Sequence, residues 1–193
     1  VVDCDTYITG TTTIDGLSQL YGKATDPIGV GQVHLGATIH LSGEFDVSGD
    51  YAYAAIRHTG TSSTLQVFDI SNPASMTAVT STSLNTTNAA NDVVVKGGYA
   101  YVSTGDKVHI VDISDPGTPV ELSIYTTPIT SVREIEVQGS YAFLVNEDAG
   151  ARRIVLVNIT DPRNPVFVGQ MNLGITPSTI EVQNNHIYFN LVS

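Results

Sequence analysis

Residues that could carry chemistry are scattered along this chain, and none stands at the spacing of a catalytic or metal-binding motif. The five histidines lack the spacing and the cysteine partners of a zinc site, and none is near a candidate acid in the sequence. No Gly-x-Ser-x-Gly elbow is present for nucleophilic hydrolysis. Four glutamates lie in or beside predicted first strands, where solvation at a sheet edge explains them, although carboxylates paired for glycoside hydrolysis remain open: Glu44, Glu134, Glu136 and Glu181. We therefore expect no enzyme activity.

The composition argues against two classes of partner, nucleic acids and membranes. Eight basic and 19 acidic residues give a net charge of -11, which repels nucleic-acid phosphates and anionic lipid headgroups. Charged residues make up only 14% of the chain, and small hydroxyl residues are abundant, which favours an extracellular or cell-surface protein. No run of eighteen apolar residues is present, so we expect no membrane insertion. The start at Val1, without an initiator Met, suggests a mature product or a fragment.

One phrase occurs four times, and its first residues are separated by 48, 42 and 45 positions. Each copy predicts a strand, a tight turn made of residues that tolerate positive φ, and a second strand in which aromatic and small residues alternate. The copies begin at Val47, Val95, Val137 and Val182.

A second phrase follows each complete copy. It is a β-branched run that ends in Asp-Pro or Asn-Pro, where proline stops the strand because it cannot donate to the ladder. A fourth strand then completes each unit, as in 165–173. Four strands in roughly 45 residues, with no helical periodicity, is the period of a β-propeller blade. The runs start at Leu65, Val108 and Ile154.

Val-Asp-Ile-Ser-Asp-Pro at 111–116 and Val-x-Gly-x-Tyr-Ala-Tyr at 95–101 resemble the LVIVD repeat. That resemblance covers about residues 26–192 and implies an all-β propeller on a surface or secreted protein. It implies no single activity and brings no catalytic residues. The copy at 158–160 departs from it, with Asn-Ile-Thr where Asp-Ile-Ser is expected.

The ends of the chain carry partial units. We divide it into an N-terminal β segment, 1–25, and the repeats, 26–193. The blades cover about 43–90, 91–132 and 133–176, and a partial blade combines 177–193 with 26–36. The total is about four blades.

The segment 30–36 matches the fourth strand at 168–174, and 6–14 alternates as a third strand would. These N-terminal strands complete the last blade either in the same chain or in a neighbouring copy, because a half-blade leaves unpaired backbone groups. A non-closing β solenoid is the third alternative.

The loops after the second and fourth strands are expected to share one face, where propellers usually bind partners. Their scattered polar residues are also explained as solvated loop tips. The candidate ligand residues there are His58, Asp106, Arg133, Glu147 and Asp148.

Repeated acidic residues raise the question of a metal. Asp69, Asp112 and Asn158 recur at one junction of strand and turn, and a side chain that caps its own turn explains them better than a metal ring does. The same explanation, a side chain that caps its own turn, applies to Asp115 and Asp161. No Asp-x-Asp-x-Asp-Gly loop supports calcium, so we expect no cofactor, with calcium as the minor alternative.

Three residues are candidates for covalent modification. Asn85 and Asn158 begin glycosylation sequons, and Asn85 lies in a predicted loop and is the better acceptor. Cys4 is the only cysteine, so it either stays free or forms a disulfide with another chain.

These observations favour a non-enzymatic extracellular scaffold or binding module at the cell surface. Its partner would be a protein, a glycan, or another copy joined through the terminal half-blades. A filament or surface-layer subunit assembled by strand complementation is one alternative, and a fragment of a propeller hydrolase or lyase is another.

Overall fold

The computed structural model of the chain describes residues 39–40, 44–58, 62–146, 152–173, 177–184 and 186–191, which form antiparallel β-sheets. Within this part of the chain no helix is present, and therefore none that could cross a membrane. The predicted N-terminal strands at 1–25 and 26–36 lie outside the described residues.

Sheet 1 has its first strand in two pieces, and both pair with the same neighbour. Its strands are β1 (Ile39–His40), β2 (Phe45–Ser48), β3 (Tyr51–His58), β4 (Ser63–Asp69) and β5 (Thr77–Ser83). Sheets 2 and 3 each contain four strands in sequence order. They are β6 (Ala90–Lys96), β7 (Tyr99–Thr104), β8 (Lys107–Asp112) and β9 (Val120–Thr126), followed by β10 (Val132–Gln138), β11 (Tyr141–Asn146), β12 (Arg153–Asn158) and β13 (Val166–Asn172).

Sheet 4 contains two strands among the described residues, β14 (Pro177–Gln183) and β15 (His186–Leu191). The prediction of an all-β fold built from four-stranded antiparallel units is confirmed.

The predicted turn chemistry is also confirmed. The hairpins between first and second strands turn at Gly49, Gly97 and Gly139, each with φ of 60°, and Asn184 takes the same place with φ of 50°. A side chain is strained at such φ values, and glycine and asparagine tolerate them best.

The repeated Asp or Asn after each third strand caps its own turn. The Oδ1 atoms of Asp69, Asp112 and Asn158 accept the backbone N–H two residues further on, at 2.8–2.9 Å. In the next turn, Asp115 and Asp161 accept N–H groups in the same way. The interpretation of these residues as turn caps is confirmed.

The sheets pack face to face in sequence order. Buried apolar clusters fill the interfaces between sheets 1 and 2, sheets 2 and 3, and sheets 3 and 4. The first strands also lie side by side, with β2 against β6, β6 against β10 and β10 against β14. The fourth strands lie outermost; β5 and β13 are largely exposed, and β9 is mostly half-buried. The first strands are therefore the inner wall of the row.

Candidate functional site

The inner wall forms an open cavity of about 860 Å³ that is lined by residues of all four first strands. Its acidic side chains outnumber two basic ones, Lys96 and Arg133. The acidic residues are Glu44, Asp46, Asp92, Glu134, Glu136 and Glu181. Of the four glutamates predicted to be solvated at a sheet edge, Glu44 and Glu181 are exposed, whereas Glu134 and Glu136 are half-buried.

Three of these carboxylates join consecutive sheets. An oxygen of Asp46 accepts the Val95 N–H at 2.7 Å, and Asp92 accepts the Ile135 N–H at 2.8 Å. Glu134 accepts the Ile180 N–H at 3.0 Å. Each bond runs from one first strand to the next, so these acids satisfy backbone donors at the inner wall.

Burial changes the acidity of this wall. It raises the pKa of Asp92 to about 7, with a further contribution from the charges of Glu44 and Glu134. Burial and then the charge of Glu181 raise the pKa of Glu136 to about 6, and burial is also the main reason that the pKa of Glu134 is raised. The wall thus gains negative charge as the pH rises through 6 and 7.

β-Bulges place two polar residues in the lining. The register of β6 with β7 shifts at Asn91, and that of β10 with β11 shifts at Arg133. Asn91 Nδ2 donates to the Val132 carbonyl at 2.7 Å. A bulge turns one side chain out of the regular alternation, and both residues line the cavity.

A buried chain of hydrogen bonds lies in sheet 2. His109 Nδ1 is 2.6 Å from Glu121 Oε1, and His109 Nε2 is 2.9 Å from Thr104 Oγ1. The carboxylate only accepts, so Nδ1 carries the proton and Nε2 accepts the Thr104 hydroxyl proton. Thr86 donates in turn to Thr104 Oγ1 at 3.2 Å. No histidine is near a candidate acid in the sequence, but hydrogen-bonded neighbouring strands bring His109 and Glu121 together although they are twelve positions apart.

This arrangement has the order hydroxyl, imidazole and carboxylate of a nucleophile relay. Thr104 and His109 are fully buried, however, and neither lines the cavity. Burial lowers the pKa of His109 and outweighs the hydrogen bond to Glu121, which acts in the opposite direction. A neutral imidazole with both nitrogens occupied serves here as a link between strands and the 84–89 loop.

The predicted ligand residues fall in different places. Arg133 lies within β10 and lines the cavity. Asp106 lies in the turn between β7 and β8, next to the loop after β9, since the Asp106 carbonyl accepts the Thr127 N–H at 2.8 Å. His58 ends β3, and its Nε2 bonds Thr64 Oγ1 at 3.0 Å. Of these three described residues, only Arg133 lies at the inner wall.

The remaining predicted residues divide between described and undescribed positions. Asn85 is exposed, and its backbone N–H contacts Glu121. Asn158 is half-buried, and its side-chain oxygen is occupied by the turn cap. Glu147, Asp148 and Cys4 lie outside the described residues. Within the described part, no group of three or more His, Cys, Asp or Glu side chains is placed to hold a metal ion.

Sequence reasoning missed the inner wall as a surface. The signal was present in the acidic residues that precede three of the four repeat valines of the first strands, at 46, 136 and 181. These residues face one common cavity because the first strand of each sheet lies innermost, and the sequence does not show which strand that is.

Comparison with known proteins agrees with this architecture. The LVIVD repeat model matches residues 42–83, 88–127 and 130–172. No curated protein matches the chain. A crystal structure of a functionally unknown protein from Desulfotomaculum acetoxidans DSM 771 is similar, with a TM-score of 0.70 and 14% identity over 88% of this chain. The match covers 54% of that protein's chain, so the present chain spans about half its length. The repeats cover most of the sequence, and the chain belongs to the LVIVD repeat family, with an all-β fold of the propeller type.

Proposed function

We propose that this chain is a non-enzymatic binding scaffold of the cell surface or extracellular space, and that it holds its ligand at the inner wall. The observation that carries the proposal is the open cavity to which all four first strands contribute polar side chains. Rigid strands position these groups more firmly than loops would. The low content of charged residues and the abundance of small hydroxyl residues support the location.

The charge of the wall indicates the ligand class. Six acidic residues face two basic ones in the lining, so a cationic segment of a protein partner fits it best. Lysine side chains would replace the mutual repulsion of the carboxylates with attraction.

The test uses a tetralysine peptide as the probe, titrated calorimetrically into the full chain at low ionic strength. The double variant Glu136→Gln/Glu181→Gln is expected to weaken binding about tenfold, which corresponds to about 1.4 kcal/mol. Asp50→Asn/Asp106→Asn is the matched control, because it removes the same charge from residues outside the cavity lining. Equal weakening by both double variants, or no binding at all, would contradict the proposal.

A structural subunit is the second candidate function. It is favoured by apolar residues exposed at the two ends of the row of sheets.

A further inference from the structure

A line of hydroxyl groups connects the buried imidazole of His109 to the 84–89 loop. The imidazole Nε2 is 2.9 Å from Thr104 Oγ1, which is 3.2 Å from Thr86 Oγ1. Thr86 Oγ1 also accepts the Asn88 backbone N–H at 3.0 Å. We call this line the hydroxyl arm. It begins at a fully buried side chain and ends on a half-buried residue of the loop.

The other nitrogen of the imidazole reaches the same loop through a carboxylate. His109 Nδ1 is 2.6 Å from Glu121 Oε1, and this oxygen also accepts the Asn85 backbone N–H at 3.4 Å. Asn85 precedes Thr86 in the chain. The imidazole therefore lies between two contacts to consecutive residues in the middle of the loop.

The ends of the 84–89 loop are held by groups that do not titrate. The Leu84 N–H donates to the Ser63 carbonyl at 3.0 Å, and the Ser63 hydroxyl donates to the Asn88 carbonyl at 2.9 Å. Neither bond depends on the protonation of His109. A response of the loop to that histidine is therefore confined to its middle.

Comparison of the sheets shows that the fold does not need an acid and a base at these positions. The strand registers of sheets 1, 2 and 3 are equivalent, so the places of His109 and Glu121 can be found in each. In sheets 1 and 3 both places are taken by residues that do not titrate: Gln66 with Ala78, and Val155 with Phe167. The pair in sheet 2 is therefore not required for packing the sheet.

A second proton on the imidazole would reverse the hydroxyl arm. In the neutral form, Nε2 accepts the Thr104 hydroxyl proton, and Thr104 Oγ1 accepts that of Thr86. A protonated Nε2 can only donate, so the Thr104 hydroxyl must turn to Thr86 Oγ1. Thr86 then accepts bonds from both Thr104 and Asn88, and its own proton must turn to solvent. Protonation in the core thus favours a position of Thr86 nearer the surface.

The groups around the imidazole place its titration in the acidic range. Burial lowers the pKa of His109 most, the hydrogen bond and charge of Glu121 raise it, and the charge of Lys107 lowers it. The 84–89 loop contains no titratable residue. Phenols and guanidinium groups keep their charge in mild acid. They are the titratable groups of β3 on the face that sheet 1 turns to sheet 2: Tyr51, Tyr53 and Arg57.

We propose that His109 is a pH sensor for the 84–89 loop: acidification protonates the imidazole, reverses the hydroxyl arm and moves the middle of the loop outward, while Ser63 holds its ends. Asn85 and Thr87 in this middle part are exposed, so the molecular surface between sheets 1 and 2 changes with pH. The sensor lies outside the lining of the inner wall and does not rest on a ligand there.

The experiment follows the isotope-labelled full chain by nuclear magnetic resonance from about pH 8 to about pH 4. The backbone amide signals of Asn85 and Asn88 are expected to shift with the same midpoint as the His109 ring, below the ordinary histidine value of 6.5. The protection of the Asn88 N–H from hydrogen exchange should fall through that midpoint. The amide of Leu84, which Ser63 holds, should not follow it.

Thr86→Val tests the hydroxyl arm. In this variant the protonated imidazole leaves the buried Thr104 hydroxyl without an acceptor, whereas the neutral imidazole still accepts its proton. The His109 midpoint should therefore fall further, by about half a pH unit or more. Thr87→Val is the matched control, because it makes the same change at the exposed neighbouring residue and should leave the midpoint unchanged.

His109→Gln provides a second test, because sheet 1 holds glutamine at this position, and the loop amides should then no longer respond to pH. Circular dichroism at each pH establishes that the chain is folded. A His109 ring that does not titrate before the chain unfolds overturns the proposal, and so do loop amides that do not follow the ring. Equal midpoints in Thr86→Val and Thr87→Val overturn the reversal of the hydroxyl arm.

Discussion

At the scale of single residues, the environment of each polar group decides its role. Asp92 and Asp112 are both aspartates at strand positions, yet Asp112 is solvated and caps a turn, whereas Asp92 is buried and holds the next sheet. Their pKa values move in opposite directions. Hydrogen bonds from Ser114 lower the pKa of Asp112, and burial raises that of Asp92.

This difference predicts how stability depends on pH. The pKa of Asp92 is about 7 in the folded chain and 3.8 as the ordinary value, so the folded state binds the extra proton between these pH values. The free energy of unfolding should therefore fall as the pH rises from about 4 to 7 and should level off above 7. Asp92→Asn should reduce this fall, at a cost of about 1 kcal/mol from one lost hydrogen bond. Urea unfolding at a series of pH values measures both effects.

His109 acts in the opposite direction. Its pKa is lowered from 6.5 by burial, so the unfolded chain takes up a proton first and stability falls as the pH drops below about 6.5. His109→Leu should therefore steepen the gain in stability on acidification. A pH profile that is the same in wild type, Asp92→Asn and His109→Leu would show that neither buried group governs it.

At the scale of elements, hairpins and bulges place the groups that join the sheets. The β7–β8 turn is an example of close packing between a hairpin and a neighbouring loop. Gly105 has φ of 55°, and a Cβ atom there would lie 2.4 Å from Asn88 Nδ2. Asn88 is itself held, because its carbonyl accepts the Ser63 hydroxyl at 2.9 Å. Gly105 therefore lies close against the 84–89 loop, with no room for a side chain.

Gly105→Ala should consequently cost more stability than an alanine in another left-handed turn. Gly139→Ala is the matched comparison, since Gly139 has φ of 60° and no atom within 4 Å of an added Cβ. We expect a loss of about 1 kcal/mol for Gly139→Ala and at least about twice that for Gly105→Ala. Denaturant unfolding of the two variants measures the loss of unfolding free energy in each. Equal losses would mean that Asn88 moves away from the added Cβ atom at no cost in free energy.

At the scale of the whole molecule, the chain is a row of sheets in which each sheet contacts its neighbours. Sheets 2 and 3 are covered on both faces by sheets of the row. Sheet 4 packs against sheet 3 and exposes Tyr188 on its other face. Stability should therefore be greatest in the middle of the row.

Hydrogen exchange should reproduce this gradient. At low protein concentration, peptides from β7, β8 and β11 should exchange slowest, and peptides from β15 should exchange much faster, because fewer buried contacts must open. Mass spectrometry of the exchanged peptides gives the comparison. If β15 and β7 were equally protected from exchange at the lowest concentration, the prediction that sheet 4 is less stable than sheet 2 would be contradicted.

The sequence by itself determined the repeat, the strand order and the turn chemistry. These follow from local properties: the alternation of side chains, the φ preferences of Gly49 and Asn184, and the capping by Asp69 and Asp112. Each depends on residues a few positions apart, so it can be read from a single stretch of chain.

Only the tertiary structure decided which residues meet. Strand pairing brought His109 to Glu121, and the packing of first strands gathered acids from all four sheets into one wall. Sequence periodicity places a side chain on a face of its sheet, but it contains no information about which face of which sheet lies opposite. That choice follows from burial summed over whole interfaces, and it also determines which apolar residues remain exposed at the ends of the row.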